Sequence, residues 1–237
     1  MMQSRAQMCD LAKFRNQPQA NWGSSIFVWE PSLGEKEKLF TPDTRTFTGP
    51  LSKTKNTGIF WGEIAPCQHV AQIYENDDAL LNNLTPFIAE GLKLGEAAIV
   101  IATPAHVADL KKRLLAADVD LSAATLDDLL VTVDAETILS QFMLKQWPVE
   151  ELFFALIGDL LKRAGAERRK VRAFGEMVAL LWERGDTAAT IHLEYLWEDL
   201  RRQHPVTLFC AYPRAGMTKV PEQSMAEICA AHARVFC

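Results

Sequence analysis

Apolar and polar positions follow no sustained period before about residue 60 and a regular one afterwards. From Gln68 onward, short apolar runs alternate with longer stretches that carry an apolar residue every third or fourth position. His69–Tyr74 predicts a first strand. Leu80, Leu81, Leu84, Phe87, Ile88 and Leu92 then share one helical face behind a cap at Asp77, Pro86 predicts a kink or break, and Gly91 and Gly95 help to end the helix. Ala97–Ala102 is a continuous apolar run, as expected of a strand covered on both faces. Thr103-Pro104 predicts a cap and a first helical turn, followed by Val107, Leu110 and Leu114.

The same alternation continues to the end. Leu129–Val133 predicts a third strand, with Asp134 capping a helix that Trp147-Pro148 breaks, and Pro148 opening another. Arg168–Phe174 predicts a fourth strand and Gly175-Glu176-Met177 a turn into a short helix ending at Gly185. A helix capped by Asp186 or Thr187 then carries Ala189, Leu193, Leu196 and Leu200 on one stripe. Val206–Tyr212 predicts a fifth strand, and Pro221 opens a last helix running through His232. Strands separated by helices require a parallel sheet with right-handed crossovers. The expected fold is therefore α/β, doubly wound, with a mainly parallel sheet of about five strands and helices on both faces.

Residues 1–63 stand apart as an expected peripheral or poorly ordered extension before a domain at 64–237. Within them Asp10–Asn16 suggests one weak helix and Ser25–Trp29 one short strand, and Trp22, Trp29 and Trp61 are apolar enough to dock on the domain or a second subunit. The net charge of −5 over 237 residues argues against direct nucleic-acid binding or an anionic membrane surface. No apolar run approaches a bilayer span, and the start lacks signal-peptide order. Five scattered cysteines without a C-x-x-C pair fit reduced thiols in a cytoplasm.

Ligands of open parallel sheets bind beyond the carboxyl ends of the strands. That rule selects Gln72, Tyr74 and Glu75 after the first strand, Thr103 and His106 after the second, and Asp134 and Glu136 after the third. It selects Glu176 and Met177 after the fourth, and Tyr212, Pro213 and Arg214 after the fifth. The expected ligand-binding set is Gln72, Tyr74, Glu75, Thr103, His106, Glu176, Met177 and Tyr212, around a small and partly apolar ligand. Tyr74, Glu176 and Tyr212 are expected around one cavity. Each has a plainer reading: Glu176 as a carboxylate at a helix start, Thr103 and Asp134 as caps, the tyrosines as half-buried strand aromatics, and His106 as solvated. His69 reads as bonding a neighbouring carbonyl, and His192 and His232 as packing residues.

The first strand runs into Asn76-Asp77-Asp78 where a nucleotide enzyme would place a glycine-rich loop. Neither G-x-x-x-x-G-K-[ST] nor G-x-G-x-x-G occurs in the chain. A serine-hydrolase elbow is also missing, and no H-x-x-x-H or clustered Cys/His spacing suggests a metal. No catalytic residues, cofactor or metal are expected.

Five segments together resemble a known family: His69–Glu75, Gly95–His106, Arg172–Trp182, Leu193–Leu200 and Leu208–Pro213. In order and spacing, from about Cys67 to Val235, they look like the MEDS domain, the methanogen/methylotroph sensory domain named partly for a dichloromethane-responsive regulator. The resemblance implies a RecA/KaiC-like core without its Walker A loop and a role in sensing small hydrocarbon-derived signals. Family members often carry a DNA-binding or histidine-kinase segment, and neither is expected in this chain. The expected function is thus a non-catalytic sensory domain that binds a small organic ligand and signals through a partner protein, a kinase or transcription regulator, with a homo-oligomer as a further option. The alternatives are a degenerate ATPase-like module that binds a nucleotide without hydrolysis, and an oligomerising scaffold with no ligand.

Overall fold

The computed structural model describes residue 61 and residues 64–165, 168–215 and 222–236, and the statements below concern these. The expectations for 10–16 and 25–29, and for Trp22 and Trp29, lie outside them. The chain order is β1 (His69–Tyr74), α1 (Asp77–Lys93), β2 (Ala97–Ala102), α2 (Pro104–Ala116), α3 (Leu121–Leu126), β3 (Leu130–Asp134) and α4 (Ala135–Phe142). It continues with β4 (Met143–Leu144), β5 (Trp147–Pro148), α5 (Glu150–Ala164), β6 (Val171–Gly175), α6 (Met177–Glu183), α7 (Thr187–Gln203), β7 (Val206–Pro213), α8 (Glu222–Ala231) and β8 (Arg234–Phe236). Six strands form one sheet in the order β3-β2-β6-β7-β1-β8, every neighbour parallel. β4 and β5 make a separate antiparallel pair at the Trp147-Pro148 break.

The pattern of apolar residues explains the layers. All six residues of β2 are buried, because helices cover both faces of the sheet. One core lies between the sheet and α1, α2 and α3, with Leu80, Leu84, Phe87, Leu110, Leu114 and Ala124 against Val70, Val100 and Phe209. The other lies under α4 to α8, with Phe142, Phe153, Leu181, Trp197 and Ile228 against Ala71, Ile99, Ala173 and Leu208. Each buried Val, Leu, Ile or Phe among them contributes roughly 1.5–3 kcal/mol by leaving water. Gly175 closes β6 where α7 comes nearest: a Cβ there would stand 3.1 Å from Cζ2 of Trp197.

Several local expectations change. Asn76, not Asp77, caps α1, its Oδ1 accepting from the Ala79 N–H at 2.9 Å. α1 runs without a break through Pro86, since Leu84, Phe87 and Ile88 are all fully buried around it and packing outweighs one lost backbone hydrogen bond. β6 begins at Val171 rather than Arg168, whose φ of 63° is left-handed and cannot continue a strand. A sixth strand, β8, joins the edge beside β1. Trp61 also belongs to the core. It is 3% exposed, its ring centroid lies 4.5 Å from that of Phe87 and 4.9 Å from that of Phe209, and its indole N–H donates to the Asn83 carbonyl at 2.8 Å.

Candidate functional site

β6, β7 and β1 are neighbours, so the carboxyl ends that carry Glu176, Tyr212 and Tyr74 do lie side by side. Glu176 is the centre of what gathers there. Its backbone N–H donates to Ile101 at 2.8 Å, which fixes it across the end of β2. Its carboxylate accepts from the Thr103 backbone N–H at 2.7 Å, and Nδ1 of His106 lies 2.7 Å from its other oxygen. The Thr103 hydroxyl points to the same carboxylate at 3.5 Å and makes no helix cap. His106, read as solvated in the sequence, is buried between Glu176 and the exposed Asp77, whose Oδ1 is 3.4 Å from Nε2. The Glu176 hydrogen bond raises the proton affinity of His106 against the opposing effect of burial.

Tyr74 is buried at the carboxyl end of β1. Burial pushes its phenol up, and the nearby Glu176, Glu183 and Asp77 carboxylates push it further. Glu183 is itself raised, by burial and then by Glu176 and Asp77. The nest at the rim thus combines buried Tyr74, His106 and Glu176 with exposed Asp77 and Glu183. Its three carboxylates, Asp77, Glu176 and Glu183, disfavour an anion at this strand end. Gln72 stands behind it on the same face of β1, its Nε2 donating to Ala79 at 3.1 Å while its buried Oε1 has no hydrogen-bond partner.

Other members of the expected set go elsewhere. Tyr212 pairs with Ile73 and so takes the opposite face of the sheet from Tyr74. It is fully buried and donates its hydroxyl to Glu194, which overturns the expectation of one cavity shared with Tyr74 and Glu176. Met177 is fully buried in the core under α6 and α7. Glu75 pairs with Arg214 at 2.5 Å on the surface, and Glu136 with Arg184, so Glu75, Glu136 and Glu176 each have a separate partner.

The second polar cluster was not visible in the sequence. Beneath β1 and β7, on the face opposite Tyr74, the side chains of His69, Glu194, Cys210 and His232 present donor atoms all within 4.8 Å of one another. Oε2 of Glu194 lies 3.3 Å from Nε2 of His69, 3.4 Å from Nε2 of His232 and 3.6 Å from Sγ of Cys210, and the last is 3.3 Å from Nε2 of His69. Burial alone would raise the Glu194 carboxyl, but the His232 and His69 imidazoles hold it well below the usual carboxylate range. Burial lowers His69, and Glu194 and Glu198 more than reverse that. Burial raises the Cys210 thiol and the Tyr212 phenol well above their ordinary values, with Glu194 adding to both.

The parallel sheet and the helices on both its faces define an α/β domain in which the turn after the first strand is acidic. The chain belongs to the MEDS family, the MEthanogen/methylotroph, DcmR Sensory domain, whose model matches residues 68–233. Its fold is similar to that of a KaiC-like protein from the hyperthermophilic archaeon Pyrococcus horikoshii, with a TM-score of 0.50 and 14% identity over 76% of this chain and 77% of that one. That likeness concerns the fold alone. A comparison with curated proteins finds no match. The family is a sensory one, and among the described residues no helix is long and apolar enough to cross a membrane.

Proposed function

We propose that this domain is a non-catalytic sensor that binds a small, uncharged organic molecule at the nest of Tyr74, His106 and Glu176 and passes the signal to a protein partner. The observation that carries the reading is the occupied N-terminus of α1. In a nucleotide enzyme of this architecture, free backbone N–H groups there would receive phosphate. Here Asn76 takes the Ala79 N–H for itself, and Asp77 and Asp78 fill the first turn with negative charge. A triphosphate is disfavoured, while the buried Gln72 amide oxygen, which has no hydrogen-bond partner, and the neighbouring Tyr74 supply polar and aromatic groups for a small uncharged molecule. The sensory character of the family supports the same reading.

The test is a thermal-shift comparison of short alcohols, ketones and halogenated alkanes with magnesium ATP. A ligand selective for the native state raises the melting temperature. At least one organic class is expected to stabilise the protein, ATP is not, and no phosphate is released. Stabilisation by ATP with no response to organic ligands would replace this reading with that of a degenerate nucleotide-binding module.

A further inference from the structure

We propose that His69, Glu194, Cys210 and His232 form a buried, tetrahedral divalent-metal site of the zinc class. It lies on the opposite face of the sheet from the nest. The first argument is geometric. With metal–nitrogen and metal–oxygen bonds of about 2.0–2.2 Å and a metal–sulfur bond of about 2.3 Å, a tetrahedron separates its donor atoms by about 3.4–3.6 Å. Four of the separations in the cluster are 3.3, 3.3, 3.4 and 3.6 Å, and every donor lies within 4.8 Å of the others.

The second argument is the outer shell. Nδ1 of His232 donates to the Ile228 carbonyl at 2.7 Å, which leaves the lone pair of Nε2 directed at the cluster. That nitrogen is fully buried and makes no hydrogen bond, although Glu194 is 3.4 Å away. Nδ1 of His69 is buried without a hydrogen-bond partner and faces Glu198 at 3.7 Å, and Glu198 is held by Arg201 at 2.7 Å, which puts a carboxylate behind the imidazole. Tyr212 donates to Oε1 of Glu194, so that Oε2 is the oxygen that faces His69, His232 and Cys210. Nε2 of His232 is thus an unpartnered donor atom facing the cluster, and Oε1 of Glu194 and Nδ1 of His232 are already tied on the outer side.

The third argument is charge. A buried carboxylate beside a thiol and two imidazoles is costly unless something positive sits among them. A divalent cation bound by one thiolate, one carboxylate and two neutral imidazoles is neutral overall, and binding releases the thiol proton. A surface depression lined by Gln68, His69, Glu198 and His232 adjoins the cluster.

The decisive experiment uses the full chain, stripped of metal by a chelator and titrated with cobalt(II) alone, then zinc alone. The expected result is visible absorption of tetrahedral cobalt with a thiolate charge-transfer band, saturating at about one equivalent per chain and bleached by zinc. Cys210→Ser should lose the charge-transfer band and Cys67→Ser should keep it, and zinc should raise the melting temperature of the wild type. If folded wild-type protein takes up neither metal in stoichiometric amount, the cluster holds only protons and the proposal fails. A charge-transfer band that survives in Cys210→Ser also overturns it. Should Cys210→Ser not fold, the titration of the wild type alone decides.

Discussion

Nδ1 of His106 lies 2.7 Å from Oε1 of Glu176, joining the first turn of α2 to the end of β6. The pair is buried and charge-assisted, so losing it costs about 1.5–3 kcal/mol. Because Glu176 raises the His106 proton affinity, the folded state holds its proton more tightly than the unfolded state, where the value is about 6.5. This contribution is fully present below about pH 6.5 and fades as pH rises through the raised folded value. Urea unfolding between pH 5.5 and 8.5 should show that decline in wild type, and His106→Asn should flatten it. An unchanged slope in the variant would mean that another group sets the pH dependence.

Tyr74 and Tyr212 should behave differently under substitution, since they face opposite sides of the sheet. Tyr74→Ala is expected to weaken the binding of a rim ligand by about 1–3 kcal/mol, the value of one large apolar contact. Tyr212→Phe should leave that affinity alone and lower stability, because it removes a hydrogen bond to a buried carboxylate. Calorimetry of binding and of unfolding on both variants separates the two effects. Equal loss of affinity in both would put the ligand on the Tyr212 face.

Trp61 should be needed for a stable core. Trp61→Ala is expected to cost about 3–5 kcal/mol, as for other buried aromatics, and to leave the Asn83 carbonyl without its indole partner. A chain starting at Ile64 should lose a similar amount, seen as a lower denaturant midpoint. A midpoint equal to that of the full chain would show that Trp61 packs without stabilising.

Gly175→Ala should be destabilising by about 1–3 kcal/mol, because the added methyl would press on the Trp197 ring at 3.1 Å. Combining it with Trp197→Phe should recover part of the loss in thermal melts, if that ring is the obstacle. Additive losses would point to the backbone instead.

Much of the fold was legible because burial on both faces leaves unmistakable runs such as Ala97–Ala102, and because Leu80, Leu84 and Phe87 repeat at helical spacing. β8 was hidden, since three residues, Arg234–Phe236, carry no period. At the rim, Glu176, Thr103 and His106 could be chosen from the strand-end rule, whereas Tyr212 could not be assigned a face without the pairing register that sets it beside Ile73. His69, Glu194, Cys210 and His232 come from two strands, a helix interior and the residue after α8. No local spacing links them, so only the register of β1 with β7 reveals the cluster.

That register also sets a timetable. β1 is made first, yet both its partners come from the far end of the chain, His69 beside Leu208 and Val70 beside Arg234. During synthesis the strand has no neighbour until β7 has left the ribosome, while β2 and β3 can already pair. An apolar strand kept waiting this long is the segment most open to wrong pairing, and closing so long a loop is slow. The strand that opens the sheet in sequence thus joins it only after β7, and β8 can join only after β1.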